Sequence, residues 1–259
     1  MNPVTLPQLV AMKGQTRQVW ATAYDAWMAG ILDGRVDCIL VGDSLGNVVQ
    51  GQNSTLPVTL EEMIYHTKLV RRATKTSLLV ADLPFLSYQA SLEQGILACG
   101  RLVKEAGAQA VKLEGSFELA PLIQALVAMG VPVMAHIGMK PQSVNLYGGF
   151  GKQGKDLASH NKMLAEAKAL VEAGAFGLLL ENIPHDLAAE ITSATPAITI
   201  GIGAGGETDG QVQVFHDLFG LFDDYSPRHA VPFGQLGKEM KAMAQAYTQA
   251  VRDKKLVSK

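Results

Sequence analysis

The chain has 259 residues, of which 48% are hydrophobic and 18% charged, with a formal net charge of −2. No run of one sign suggests a nucleic-acid or membrane surface, no apolar run approaches the roughly 20 residues that span a bilayer, and the N-terminus MNPVTLPQLVAMKGQ lacks the basic start and apolar core of a secretory signal. Cys38 and Cys99 both lie in apolar surroundings and read as reduced thiols rather than a disulfide framework, so the expected location is the cytoplasm.

Residues 5–13 suggest a short leader helix, and 17–23 (RQVWATA) a first strand running into Tyr24 and Asp25. A short helix over 26–32 stops at Gly34. The stretch 36–59 then organises the chain. Its apolar run 38–41 reads as a buried strand, Gly42 as the exit, and Asp43 and Ser44 as the first polar residues beyond it. Thr59, followed three residues later by Glu62, is a capping box opening a helix. Strand 77–81 ends at Asp82, and Pro84 prevents its continuation. Helix 91–106 stops at Gly107, and strand 110–113 carries Lys112 and ends at Glu114. Helix 118–129 stops at Gly130, and strand 131–137 carries His136.

The loop 138–156 holds five glycines and one proline and is longer than most connections of its kind. Its part 147–157 reads equally as a lid over a site or as a surface loop. Helix 161–173, strand 176–180 ending at Glu181, helix 184–194 and strand 197–202 follow. The run GAGGETDG, with glycines 201, 203, 205 and 206 in and before it, reads as a tight turn, with a phosphate cradle as the alternative. An eighth short strand falls at 212–215, with no helix between it and the seventh. Residues 217–232 look irregular, 234–251 form an amphipathic helix, and a basic tail ends the chain. Strands alternating with helices imply parallel pairing through right-handed crossovers. Seven or eight such units point to a single-domain (β/α)8 barrel over residues 1–259. No glycine-rich dinucleotide fingerprint follows the first strand to support a doubly wound sheet.

In such a barrel the strand C-termini share one mouth, which carries the active site. Here they supply Asp43, Asp82, Glu114, His136 and Glu181. Four carboxylates so close require protonation or a divalent cation, and an all-oxygen set favours a hard ion such as Mg2+. Any one of these acids alone could be a helix cap; the repetition at successive strands is what marks a site. Asp25 reads as such a cap. His136 reads as a hydrogen-bonded pocket residue, with metal ligation as the alternative. Lys112 shares strand parity with Glu114, and a lysine facing a barrel interior requires an anion. It is expected to bind a substrate carboxylate or carbonyl oxygen, with an ion pair to Glu114 as the alternative.

The segments VGDSLGNVVQGQNSTLPVT (41–59), YHTKLVRR (65–72), ADLPFLSY (81–88), GAQAVKLEG (107–115), VPVMAHIGMKPQSVNLYGGF (131–150) and IGIGAGGETDGQVQVFHDLFGL (200–221) resemble the ketopantoate hydroxymethyltransferase family, in order from about residue 16 to 235. The resemblance implies Mg2+-dependent transfer of a one-carbon unit from 5,10-methylenetetrahydrofolate to 3-methyl-2-oxobutanoate in pantothenate synthesis. It implies Asp43, Asp82 and Glu114 as metal ligands. It implies Asp43, Ser44, Asp82 and Lys112 as residues at the keto acid, Glu181 as proton acceptor, and a homodecamer of two pentameric rings. Lys152 and residues 222–233 depart from the family pattern. A Mg2+-dependent C–C lyase or phosphoenolpyruvate-mutase-like barrel, and a non-catalytic keto-acid-binding relative, are the competing readings.

Overall fold

Eight parallel strands close into a barrel in chain order. They are β1 (Gln18–Thr22), β2 (Cys38–Val41), β3 (Leu78–Asp82), β4 (Ala110–Glu114), β5 (Val133–Gly138), β6 (Gly177–Glu181), β7 (Ile198–Ile202) and β8 (Gly210–Gln213). The structure, a computed structural model, describes residues 2–223, 227 and 230–255. The (β/α)8 expectation is met. Where the sequence reading takes the chain as one domain, packing groups it into two compact units, 1–212 and 213–259.

Strands β2 to β5 are buried on both faces, which is why they read as apolar runs rather than alternating ones. Trp20, Cys38, Leu40, Leu78, Val80, Ala110, Met134, Leu179, Ile198, Ile200 and Val212 form one interior cluster. Leu9 joins it from the leader helix α1 (Leu6–Ala11), so the leader contributes to the core. The amide of Gln18 donates to the Leu9 carbonyl at 2.8 Å and accepts from the Trp20 indole at 3.1 Å.

The helices follow their caps. The Asp25 carboxylate accepts from the Met28 amide at 2.7 Å and opens α2 (Ala26–Leu32), the structural role expected of it. Thr59 and Glu62 form the expected reciprocal box at the start of α4 (Leu60–Ala73), with Thr59 N–H to Glu62 Oε2 at 2.7 Å. Between α2 and α4 lies a short helix, α3 (Leu45–Val48), that the polar loop composition did not reveal. Helices α5 (Leu92–Lys104) and α6 (Ala120–Ala128) fall within the expected ranges. The loop after β5 contains a 3-10 turn, Pro141–Ser143, and a short helix α7 (Val144–Tyr147). Helix α8 (Leu157–Glu172) starts earlier than expected because Asp156 caps it, accepting from Ser159 N–H at 2.9 Å. Helix α9 (His185–Ala194) matches its expected position.

The eighth strand lies at Gly210–Gln213 and not at 212–215. The reason is steric. A Cβ on Gly210 would lie 2.5 Å from the Gln18 carbonyl oxygen, so this strand needs the very glycine that read as part of a turn. The absent β7–β8 helix is borne out, since 203–209 connect the strands directly. Gly203 and Gly205, both at positive φ, make the turn there.

In the second unit, α10 (Phe215–Leu218) takes up the end of the segment read as strand, and α11 (Leu236–Arg252) is the expected terminal helix. Leu236, Met240, Met243, Tyr247 and Val251 form an exposed apolar stripe along α11. Of the stretch expected to be irregular, 224–226, 228 and 229 lie outside the described residues, as do 256–259 of the basic tail. No helix among the described residues is long and apolar enough to cross a membrane.

Asp33, at the end of α2, ties the chain entering β3. Its carboxylate accepts from the backbone N–H groups of Lys75, Thr76 and Ser77 at 3.0, 2.9 and 2.8 Å. Partial burial raises its pKa, but these three donors outweigh it and hold the group below its usual value of 3.8. Asp33→Ala is expected to cost about 1–3 kcal/mol in urea unfolding at neutral pH. A depressed pKa gives stability that is present above pH 3.8 and lost as pH falls through the folded value. The difference between variant and wild type should therefore shrink in acid.

Candidate active site

Barrel parity assembles the site. Asp82, Lys112, Glu114, His136 and Glu181 all occupy inward positions, in phase with the core residues below them. The parallel register sets Asp82 beside Lys112 and Glu114 beside His136. Asp43, one residue beyond the glycine that ends β2, completes the group. Asp43, Asp82 and Glu114 are all buried, and each can offer an oxygen within 4.8 Å of the others. Three carboxylates face one ammonium, that of Lys112.

The structure changes the reading of Lys112. Its Nζ lies 2.5 Å from Asp82 Oδ2 and 3.4 Å from Glu114 Oε1. The shorter contact runs across strands to Asp82, not along the strand to the partner that parity suggested. His136 lies with Nδ1 3.2 Å from Glu114 Oε1 and Nε2 3.5 Å from Glu181 Oε2. Neither contact has hydrogen-bond geometry, so both ring nitrogens are buried without a hydrogen-bond partner. The ring thus stands in a pocket between two acids.

Burial raises the proton affinity of every acid here, and the neighbours then separate them. Asp43 is pushed well up, by burial first and then by the charges of Asp82 and Glu114. Asp82 rises to about 6, burial outweighing the Lys112 charge. Glu114 instead falls to about 2, because Lys112, His136 and the Gln142 N–H outweigh its burial. Burial and the Glu114 charge push Glu181 up to about 8. Its side chain is 17% exposed, against 2% for Asp82 and Glu114, so it opens toward the mouth. Glu181 therefore differs from Asp82 and Glu114 in access, and from Glu114 in the direction of its shift.

The cluster fits a metal ion. Asp82 Oδ1 is buried with no hydrogen-bond partner, a costly state for a carboxylate oxygen. A hard cation taking oxygen ligands would satisfy it and offset the mutual repulsion. Ser44 sits half-buried beside Asp43 with its hydroxyl 2.8 Å from Tyr24 Oη, and His66 Nδ1 lies 2.7 Å from the Tyr24 carbonyl.

Sequence reasoning missed Tyr24, Tyr88 and Gln142. The phenol of Tyr88 accepts from Glu114 N–H at 3.1 Å and lies 2.8 Å from the Glu114 carbonyl. Gln142 reaches Asp43, 99 positions away. No spacing rule links residues so far apart, and each of the three reads as ordinary loop or strand-end composition.

A (β/α)8 barrel with a buried carboxylate cluster at its C-terminal mouth has the architecture of an enzyme able to hold a metal ion. Solved structures share the fold. Phosphoenolpyruvate phosphomutase from Streptomyces platensis superposes with a TM-score of 0.64 at 16% identity, covering 96% of this chain and 88% of that one. A 2,3-dimethylmalate lyase, a member of the PEP mutase/isocitrate lyase superfamily, gives 0.62 at 16% identity, covering 98% and 89%. The sequence is far closer to another group. The family model for ketopantoate hydroxymethyltransferase matches residues 3–258. The 3-methyl-2-oxobutanoate hydroxymethyltransferase of Moorella thermoacetica is 51% identical, over 97% of this chain and 94% of that protein. The enzyme of that name from Trichodesmium erythraeum is 49% identical, over 97% of each. The chain belongs to the ketopantoate hydroxymethyltransferase family and is a transferase. The lyase and mutase reading survives at the level of fold alone.

Proposed function

We propose that the chain transfers a one-carbon unit from 5,10-methylenetetrahydrofolate to 3-methyl-2-oxobutanoate, giving 2-dehydropantoate for pantothenate biosynthesis, with Mg2+ as cofactor. Family membership supports the reaction. One observation in the site carries the chemistry: Glu181, with a pKa near 8, opens to the mouth beside a separate cluster of three acids suited to a cation.

Asp43, Asp82 and Glu114 would hold the ion, and bound there it supplies positive charge beside the keto-acid oxygen on which negative charge develops. Ser44 and Lys112, with Asp43 and Asp82, line the place of the keto acid. Lys112 brings the fixed positive charge and Ser44 a hydroxyl oriented by Tyr24. Glu181 takes the proton from C3. Its raised proton affinity makes it a competent base near neutral pH, where an ordinary carboxylate is too weak. His136 stands between Glu181 and Glu114. C3 then bonds to the methylene carbon as one of its two bonds to folate nitrogen breaks, water displaces the second nitrogen and leaves its oxygen as the hydroxyl, and tetrahydrofolate departs with the C3 proton and one water proton on those two nitrogens. The apolar stripe on α11 supports self-association, and the decamer is the expected assembly.

The test is product formation. Incubation with the keto acid, methylenetetrahydrofolate and Mg2+ should yield 2-dehydropantoate by mass spectrometry, and chelation of the ion should abolish it. Absence of that product while the keto acid still binds would favour a non-catalytic relative.

A further inference from the structure

Gln142 lies in the 3-10 turn that follows β5, and both its side-chain amide and its backbone N–H reach the carboxylates of the site. Its amide nitrogen donates to Asp43 Oδ2 at 2.9 Å and to the Leu83 carbonyl at 2.8 Å. Its amide oxygen lies 2.8 Å from Tyr88 Oη and accepts from Gln89 Nε2 at 3.1 Å. Its backbone N–H donates to Glu114 Oε2 at 3.0 Å. The residue is buried. The Leu83 carbonyl can only accept, and the Gln89 amide nitrogen can only donate, so the Gln142 amide has one orientation.

We infer that Gln142 is the positioning residue of the cation site, holding Asp43 and Glu114 in the orientation in which they bind Mg2+. The inference rests on the reading of Asp43, Asp82 and Glu114 as ligands. Asp43 and Glu114 arrive on different strands, and each carboxylate could rotate about its own torsions. Gln142 takes one oxygen of each, by its side chain and by its main chain. The other oxygen of Glu114 faces Lys112 and His136. Tyr88 acts behind Gln142: its phenol accepts from the Glu114 N–H, and its single proton faces both the Gln142 amide oxygen and the Glu114 carbonyl, each 2.8 Å away. No other common side chain replaces the amide. Asparagine is a methylene short, glutamate would set a second carboxylate against Asp43, and methionine fills the space without a donor. Partners of this kind, one step back from the metal, fix ligand orientation and so set affinity.

Mg2+ affinity, measured by titration calorimetry without substrate, tests the inference in the wild type and in Asp82→Asn, Gln142→Met, Tyr88→Phe and the Gln142→Met/Tyr88→Phe double variant. Unfolding temperature without the ion is recorded alongside. Asp82→Asn should bind far more weakly than wild type, as a lost ligand requires. Gln142→Met should weaken binding by about 10–100-fold. Tyr88→Phe should lose less in the same direction, and the double variant should lose less than the two single losses combined, because Tyr88 works in part through Gln142. A merely structural Gln142 would lower the unfolding temperature and leave affinity unchanged; that result overturns the inference. Should Gln142→Met not fold, Tyr88→Phe binding at wild-type affinity overturns it equally. Absence of binding by the wild type, or wild-type affinity in Asp82→Asn, defeats the cation reading itself and the inference with it.

Discussion

Glu181→Gln should slow exchange of the C3 proton of 3-methyl-2-oxobutanoate in D2O by about 10²–10⁴-fold, the usual contribution of a positioned base. Glutamine keeps the size of the side chain and removes only the lone pair that takes the proton. Glu181 ends β6, and its Oε2 lies 3.5 Å from His136 Nε2. It makes no contact with Lys112 like those of Asp82 and Glu114, so its basicity is not consumed by an adjacent ammonium. Burial and then the Glu114 charge bring its pKa to about 8, against the partial opposition of Lys112. Exchange needs the ionised form. The wild-type rate should therefore climb with pH through that value and level off above it. A bound divalent cation nearby favours the carboxylate, so saturating Mg2+ should move the climb to lower pH. Nuclear magnetic resonance of the keto acid, followed on both sides of pH 8, reads both effects. Undiminished exchange in Glu181→Gln would remove the residue from the role of base. Mg2+ affinity should be little changed in this variant, which separates loss of the base from loss of the ion.

The second large effect is on stability. Lys112→Met should cost about 3–5 kcal/mol at neutral pH, the cost of leaving buried charge without its partner. Among the described residues, the ammonium is the one lysine or arginine head group paired with the cluster acids. Its removal leaves Asp43, Asp82 and Glu114 to repel one another out of contact with water. The pH dependence identifies the cause. In the wild type, Glu114 has a depressed pKa of about 2. Its contribution is thus present above its ordinary value of 4.5 and lost as pH falls toward 2. Without Lys112 that pKa rises, and the sign reverses: the folded protein now holds protons that the unfolded chain releases. The deficit of the variant should be small in acid and grow as pH rises to neutrality. Asp82, already raised to about 6 in the wild type, follows the same rule, with stability present below pH 3.8 and lost as pH climbs through 6. Urea unfolding of both proteins across this range measures the difference. A pH-independent deficit would instead assign the loss to packing of the lysine stem. Added Mg2+ should restore part of the stability at neutral pH, since an ion that binds only the folded state stabilises it by mass action.

The sequence by itself determined the alternation of strands with the longer helices, the barrel, and the acids that end its strands, but not the short helices α3, α7 and α10. It also determined the local devices: the Asp25 cap and the Thr59–Glu62 box. These follow from short-range rules, since periodicity, capping and strand parity act over a few residues. Parity alone was enough to turn Lys112 and Glu114 to the same side. The family, too, was legible in contiguous segments, above all 41–59 and 131–150.

What only the tertiary structure decided involves neighbours distant in the chain. The eighth strand lies at Gly210–Gln213 because a glycine is needed where β8 crosses the Gln18 backbone, and nothing near residue 210 reports that approach. Lys112 is closest to Asp82, 30 residues before it, because parallel register places them side by side. Gln142 enters the site from a loop whose composition reads as lid or surface, and it bonds a carboxylate 99 residues away. The division of labour among the acids also belongs to the assembled mouth. Glu114 and Glu181 are the same residue type at the same kind of position, and their proton affinities part because Lys112, His136 and the Gln142 N–H together outweigh burial at Glu114, whereas at Glu181 burial and the Glu114 charge outweigh the more distant Lys112. Local pattern places a carboxylate at a strand end; the charges that the closed barrel sets around it decide whether it is suited to hold a cation or to take a proton.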